Sequence, residues 1–255
     1  VSLPHGNVLY CMDNETSVTP EWGWYWSRYI KDRAKAAGVG VHTTEMWDAW
    51  DLANAQHNAT FDHPEIYSFV DISQNNHQVG QAHWDNMQRA RAYVLQRQMR
   101  PINSVKIYGA DGGPFGSEQD GIERFWRNLF GGLASCRFHR PPSGIGLSER
   151  AQAHIQSARM LSEAVNVYAC EPRNDLLSDR GENEAYCMAG HEAAVVFTRP
   201  GRVTLDTSAM PGERVVRWLD IARRTWSSAR TAPHTDRLAL ETPGEGMQVA
   251  VVKGK

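Results

Sequence analysis

The chain has 255 residues, of which 41% are hydrophobic, and its formal net charge is −2. This is enough apolar material for one large domain or two smaller ones. Acidic and basic residues are interspersed, so the sequence lacks the basic surface that predicts binding to nucleic acid or an anionic membrane. It also contains no apolar run long enough for a transmembrane helix.

The first two thirds of the chain alternate between strand and helix patterns. Strands are predicted at residues 6–13, 39–44, 66–72, 102–109 and 134–138. Helices are predicted at 21–37, 80–98, around 122–130 and at 148–165, with a long polar loop at 49–64. This alternation is typical of an α/β protein with a parallel sheet, in which the loops after the strands carry the chemistry.

Polar side chains follow each of these strands. In a parallel barrel the strand ends meet at one face, so residues far apart in sequence come together there. The candidates are Asn14, Glu15, Glu45, Asn75, Asn76, His77, Tyr108, Asp111, Arg137, His139 and Arg140.

From about Asp175 the apolar period changes to two. Short strands are predicted at 185–188, 193–198, 203–206, 214–219, 238–242 and 247–253, separated by Gly, Pro and Asn. This spacing predicts a small antiparallel β-sandwich. We therefore expect two domains, at residues 1–172 and 173–255.

The sequence predicts neither a metal site nor a cofactor site. Four cysteines stand at 11, 136, 170 and 187, without Cys-x-x-Cys or histidines at ligand spacing, so a structural zinc site is not expected. Cys170 and Cys187 are interpreted as free thiols, with a disulfide as the alternative in an exported protein. No glycine-rich loop opens a helix after a strand, which argues against a dinucleotide site.

Several segments resemble a known family. They are Tyr-Cys-Met-Asp-Asn-Glu at 10–15, Ser-Val-Lys-Ile-Tyr-Gly-Ala-Asp-Gly-Gly at 104–113, Gly-Ile-Glu-Arg-Phe-Trp-Arg-Asn at 121–128 and Arg-Phe-His-Arg-Pro-Pro at 137–142. These resemble bacterial glycoside-hydrolase-like (β/α)8 barrels of the DUF4038 kind, which often carry a C-terminal sandwich named a collagen-binding domain. Arg-Trp-Leu-Asp at 217–220, followed by a strand at Trp226, is similar to that sandwich.

The resemblance implies that residues 1–172 form the C-terminal part of a TIM barrel, strands four to eight, followed by the antiparallel sandwich. Strands one to three would then lie upstream of Val1, and the chain would be a fragment with open sheet edges that favour association. The resemblance also implies a secreted or periplasmic bacterial protein.

The resemblance implies two-carboxylate chemistry on a carbohydrate. Glu15 matches the family's acid/base residue, which should have a raised pKa. Asn14 matches the neighbouring residue that hydrogen-bonds the sugar 2-hydroxyl. The family's strand-seven nucleophile is missing, because residues 105–107 are Val, Lys and Ile. Asp111 and Glu45 are the substitutes, and Glu45 is alternatively a rim acid paired with an arginine.

Aromatic residues add candidate platforms for sugar rings. Trp24, Trp47 and Trp50 are predicted to stack on substrate, whereas Trp22 and Trp26 share a helix face and are predicted to pack. Two functions remain open at this point. One is a glycoside hydrolase, and the other is a non-catalytic carbohydrate-binding protein on a degenerate barrel. The sugar, the linkage, the stereochemical outcome and the oligomeric state stay open.

Overall fold

The computed structural model describes residues 2–108, 116–138 and 147–255. These residues group into two compact units. Unit 1 comprises Val1–Gln78, Ala82–Ile107 and Leu133–Arg137; unit 2 comprises Val79–Gln81, Tyr108–Gly132 and Phe138–Lys255, each within the described ranges.

Among the described residues of the first two thirds of the chain, five short strands and five helices follow one another. The strands are β1 (Leu9–Cys11), β2 (His42–Thr44), β3 (Val70–Asp71), β4 (Ile102–Ile107) and β5 (Ser135–Phe138). The helices are α1 (Pro20–Ala36), α2 (Asn58–Phe61), α3 (Gly80–Leu95), α4 (Glu118–Phe130) and α5 (Glu149–Ala164). The alternation predicted from the sequence is confirmed at this level.

The pairing of these strands is parallel where the register is defined. β1 pairs with β2, and β3 pairs with β4, both in parallel. β4 lies between β3 and β5 in a three-stranded sheet. Among the described residues these strands form two separate sheets, and they do not close into a barrel.

The third strand is much shorter than predicted. The sequence predicts residues 66–72, but only Val70 and Asp71 form a strand. The amides of Ile66 and Tyr67 both donate to the carbonyl of His63, so this apolar run begins as a turn. Its side chains are buried all the same, because burial selects apolar residues whether or not the backbone is extended.

Local capping explains where the later helices begin. Ser117 and Asp120 form a reciprocal capping box at the start of α4, and the Ser148 hydroxyl accepts from the amide of Ala151 at the start of α5. The predicted polar loop at 49–64 is wrong in part, since a 3-10 turn at Ala55–His57 and helix α2 lie there. Asn54 caps that turn by accepting from the amide of Gln56.

The last third of the chain is antiparallel, as the sequence predicts. It contains β6 (Glu171–Pro172), β7 (Leu177–Ser178), β8 (Ala185–Ala189), β9 (Ala193–Phe197), β10 (Arg202–Asp206), β11 (Arg214–Asp220), β12 (Thr225–Trp226), β13 (Arg230–Ala232), β14 (Arg237–Glu241) and β15 (Gln248–Gly254). β6, β7 and β13 are not predicted, because two- and three-residue strands give too little alternation to detect.

These strands form two sheets. Six run in the order β12-β11-β15-β9-β8-β6 with β13 added beside β11, and the other three run β14-β10-β7. Side chains of both sheets contribute to one apolar cluster, which includes Val195, Phe197, Val203, Leu240 and Val252. Two structural features bear on the remaining sequence predictions. Cys170 and Cys187 are free thiols, and in the described ranges no helix is long and apolar enough to cross a bilayer.

Candidate functional site

Glu15 stands in a strained turn after β1. Its φ is +52°, in the left-handed region that side-chain-bearing residues seldom adopt. The amide of the following Thr16 donates to the carbonyl of Met46, which joins this turn to the segment after β2. The Glu15 side chain keeps 40% of its surface exposed, so its carboxylate can meet a ligand.

Lys106 stabilises the ionised form of Glu15. The Lys106 ammonium, on β4, lies 2.7 Å from Glu15 Oε1 and is itself only 8% exposed. Gln74 Nε2 donates to the same oxygen at 3.1 Å. The hydrogen bond and the charge of Lys106 hold the pKa of Glu15 below its ordinary value. The expectation of a raised pKa is therefore wrong, and Glu15 is a carboxylate at neutral pH.

Asp71 is a second acid within the field of Lys106. It is buried at the end of β3, and burial raises its pKa to about 6 although Lys106 and the hydrogen bonds from Ser73 oppose that rise. Both the amide and the hydroxyl of Ser73 donate to the Asp71 carboxylate at 2.8 Å. Sequence reasoning missed Asp71, Gln74 and Lys106 as site residues. The signal available was an aspartate and a lysine at buried strand positions next to isoleucine and valine.

Glu45 does not face Glu15 across an open cleft. The Ser27 hydroxyl of α1 donates a hydrogen bond to the Thr43 hydroxyl. Glu45 comes two residues later, so its side chain points to the same side. It lies against α1 at Gly23. Its carboxylate is 1% exposed, accepts from the amide of Asp13 at 2.7 Å and lies 3.4 Å from the Tyr67 hydroxyl. Burial raises the pKa of Glu45 to about 7. Glu45 is therefore buried away from the exposed turn that holds Glu15, and its hydrogen-bond partners are an amide and a phenol.

Several predicted ligands are structural instead. Trp47 is 2% exposed, and its indole N–H donates to the Thr60 hydroxyl at 2.8 Å, so no sugar can stack on it. Asn75 is buried, donates to the His83 carbonyl and accepts from Asn86. Asn76 is buried as well. Both residues follow a strand, as predicted. Their side chains are buried inside the protein, whereas the sequence predicts them at the solvent-facing ends of the strands.

The other candidates differ in exposure. Trp24 is half-buried, donates to the Ala59 carbonyl at 3.2 Å and packs on the His63 ring at 4.5 Å between centroids. Asn14, His77 and Arg137 are exposed, and Tyr108 is half-buried. Trp50 is 57% exposed. Asp111, His139 and Arg140 lie outside the described residues. Trp22 and Trp26 contact each other on α1, yet both remain partly exposed.

Comparison with known proteins rests on structure alone, since no family model and no curated protein matches the sequence. A glycoside hydrolase family 5 protein from Bacteroides vulgatus superposes with a TM-score of 0.61 at 9% identity, covering 93% of this chain and 67% of that one. An α-amylase from H. orenii gives 0.58 at 6% identity, covering 94% and 58%. A maltogenic α-amylase from Thermotoga neapolitana gives 0.56 at 9% identity, covering 98% and 63%.

The chain has a glycoside-hydrolase-type fold. At these identities the likeness concerns the fold and not the reaction. The chain spans between 58% and 67% of the length of these three proteins. In the part of the chain that the structure describes, no group of three His, Cys, Asp or Glu side chains is placed to hold a metal ion.

Proposed function

We propose that the chain binds carbohydrate at the Glu15 site and that this site does not hydrolyse it. The proposal is supported by the glycoside-hydrolase-type fold together with the ion pair between Glu15 and Lys106. The ion pair is the observation that favours binding over hydrolysis.

Hydrolysis of a glycosidic bond requires a proton donor beside the leaving oxygen and a second carboxylate on the other side of the sugar. Glu15 has no proton to donate at neutral pH, because Lys106 favours its ionised form. Glu45 can hold a proton but is buried against α1. Lys106 stands in the segment where the resemblance expects the nucleophile, and an ammonium group cannot form a glycosyl ester.

A carboxylate that is fixed by a buried lysine is well suited to binding. Lys106 and Gln74 both bond Glu15 Oε1, and none of the contacts above engages Oε2. A carboxylate oxygen accepts hydrogen bonds from sugar hydroxyls, and such charge-assisted bonds are about twice as strong as neutral ones. Asn14, exposed beside it, adds an amide that both donates and accepts.

The finer resemblance enters here as part of the proposal. Residues 1–172 would correspond to strands four to eight of a barrel of the DUF4038 kind, and residues 173–255 to its accessory sandwich. A secreted or periplasmic location is proposed on the same ground.

Hydrolysis is the second candidate, and the fold of the neighbours favours it. In that case Glu15 and Asp111 would be the two catalytic carboxyl groups. Substrate binding would first have to displace Lys106 from Glu15, so that Glu15 could become protonated and act as the acid.

A single set of measurements separates the two candidates. Wild type and Glu15→Gln are titrated calorimetrically with a panel of neutral and acidic oligosaccharides, and each mixture is then analysed for shortened products. We expect binding without products, and Glu15→Gln to weaken binding about tenfold because a charge-assisted hydrogen bond is lost. Glu65→Gln removes an exposed carboxylate of unit 1 that pairs with His63 and should bind as wild type does.

Products formed by wild type and lost in Glu15→Gln with binding retained would overturn the binding proposal in favour of hydrolysis. Lys106→Met tests the cause. It should raise the pKa of Glu15, measured by NMR titration of a 13C-labelled glutamate, and an unchanged pKa would refute the role given to Lys106.

A further inference from the structure

Unit 2 contains a cleft that is separate from the Glu15 site. It has no role in either function considered above. Its volume is about 390 Å³, and it is lined by β10, β11, β13, β14 and the Pro233 turn. This volume falls within the range of about 300–1,000 Å³ that is usual for small-molecule sites. The cleft opens where the three-stranded sheet and the β11–β13 pair each leave an edge.

The apolar side of the cleft continues the core of unit 2. Val216, Leu238 and Leu240 line the cleft and belong to the buried apolar cluster. Trp218 also lines it, packs against that cluster and contacts the Phe197 ring at 5.6 Å between centroids. The indole is thus held in place by packing while part of its surface stays exposed.

The rim of the cleft carries two arginines that have no partner in the described part of the chain. Among the described residues, the guanidinium groups of Arg202 and Arg230 make no hydrogen bond and no ion pair. Glu241 pairs with Arg202 in the strand register, but their charged groups form no salt bridge. Other arginines of the unit are occupied: Arg173, for example, pairs with Asp175 at 2.8 Å. Two guanidinium groups against one carboxylate leave a positive excess at the rim.

We propose that this cleft binds an acidic saccharide, a mono- or disaccharide that bears a uronic acid. The apolar face of a sugar ring would lie on Trp218, since aromatic faces offer a large apolar surface at a fixed position. The ring carboxylate would be bound by Arg230 and Arg202, whose planar guanidinium groups match a carboxylate in a bidentate way. Glu241 would accept hydrogen bonds from ring hydroxyls. This site is independent of the Glu15 site and of the choice between binding and hydrolysis there.

The test compares ligands that differ in charge alone. The full chain is titrated with digalacturonate and with the neutral digalactose, in calorimetry at 50 mM and 300 mM salt. We expect digalacturonate to bind more tightly, and more weakly at the higher salt, because screening reduces the attraction of the exposed guanidinium groups. Triglutamate peptide is the third ligand and should not bind, since it has no ring for Trp218.

The variants locate the site. Arg230→Ala and Arg202→Ala, on different strands, should each weaken digalacturonate binding about tenfold, and Trp218→Ala should abolish it. Arg159→Ala is the matched control, because Arg159 is 82% exposed on α5 and pairs with Glu163. Trp226→Phe is the control for tryptophan, since Trp226 lies under Arg217 and does not line the cleft. Thermal melting of each variant shows whether it is folded.

Three results would overturn the proposal. The first is the absence of binding to wild type at millimolar digalacturonate. The second is equal affinity for digalactose or triglutamate, which would assign the cleft to neutral sugars or to acidic peptides. The third is unchanged affinity in both folded arginine variants.

Discussion

The antiparallel sheets of unit 2 and the strand ends of unit 1 bury different kinds of side chain. The antiparallel strands of unit 2 bury an apolar cluster drawn from both sheets, with Val195, Phe197 and Val252 fully excluded from solvent. Unit 1 buries Glu45, Asp71 and a series of hydroxyl and amide side chains after its strands. The same chain therefore contains an inter-sheet cluster stabilised mainly by apolar burial and, after the strands of unit 1, buried ionisable groups that must be satisfied by hydrogen bonds.

This difference follows from what each region has to hold in place. A buried polar group costs free energy unless it is bonded, so unit 1 gains less stability from each buried side chain. In return, its buried groups hold charges in fixed positions, as Lys106 holds Glu15. Unit 2 also buries Arg124, Arg127 and Arg214, but the apolar cluster between its two sheets contains no charged side chain.

Removing apolar volume from unit 2 should have the largest effect on stability. Phe197→Ala deletes a fully buried ring that contacts Trp218, and we expect a loss of about 3–5 kcal/mol in the free energy of unfolding. Phe197→Leu keeps much of the volume and should cost about 1.5 kcal/mol or less. Urea unfolding, followed by circular dichroism, measures both. Equal losses for the two variants would mean that the ring volume does not set the stability of this core.

The buried carboxyl of unit 1 should instead make stability depend on pH. The pKa of Glu45 is about 7 in the folded chain against 4.5 ordinarily, so the folded state binds the proton more tightly than the unfolded state. This contribution is fully present below pH 4.5 and is lost as the pH rises through about 7. It amounts to about 3 kcal/mol.

Glu45→Gln cannot ionise and keeps an oxygen for the amide of Asp13. Between pH 4.5 and 7.5 the free energy of unfolding of wild type should fall more than that of Glu45→Gln. The difference should be most of the contribution given above for Glu45. Glu65→Gln, at an exposed carboxyl, is the control and should keep the wild-type slope. A slope unchanged in Glu45→Gln would show that Asp71 or another group carries the dependence.

The same contrast explains how much could be predicted from the sequence. Period-two alternation in residues 185–253 locates six strands within one or two residues, because each has a buried face. In unit 1 the strands are two to six residues long. Residues 66–69 are mostly buried although they form no strand, so their pattern cannot be distinguished from that of a strand.

The candidate site was predicted less well for a geometric reason. The sequence places polar residues at strand ends, and it locates Glu15 correctly at an exposed turn. It cannot show which way a side chain points once the strand has ended, so Glu45 and Asn75 were expected at the rim although they are buried. Nor does it reveal a partner 91 positions away, such as Lys106, which reverses the expected shift of the pKa of Glu15.

The close approach of α1 to Glu45 gives the prediction with the smallest expected loss of stability. A Cβ on Gly23 would lie 2.0 Å from Glu45 Oε2 and 2.6 Å from the Tyr67 hydroxyl, so Gly23→Ala must move α1 or displace the carboxyl. We expect a loss of about 1–3 kcal/mol, the usual cost of overpacking, and a weaker pH dependence as Glu45 becomes more accessible. Gly40→Ala is the matched control, since nothing lies within 4 Å of its Cβ position. Urea unfolding at two pH values measures both variants. If Gly23→Ala were as stable as Gly40→Ala, the packing of α1 on Glu45 would not be the cause of its burial.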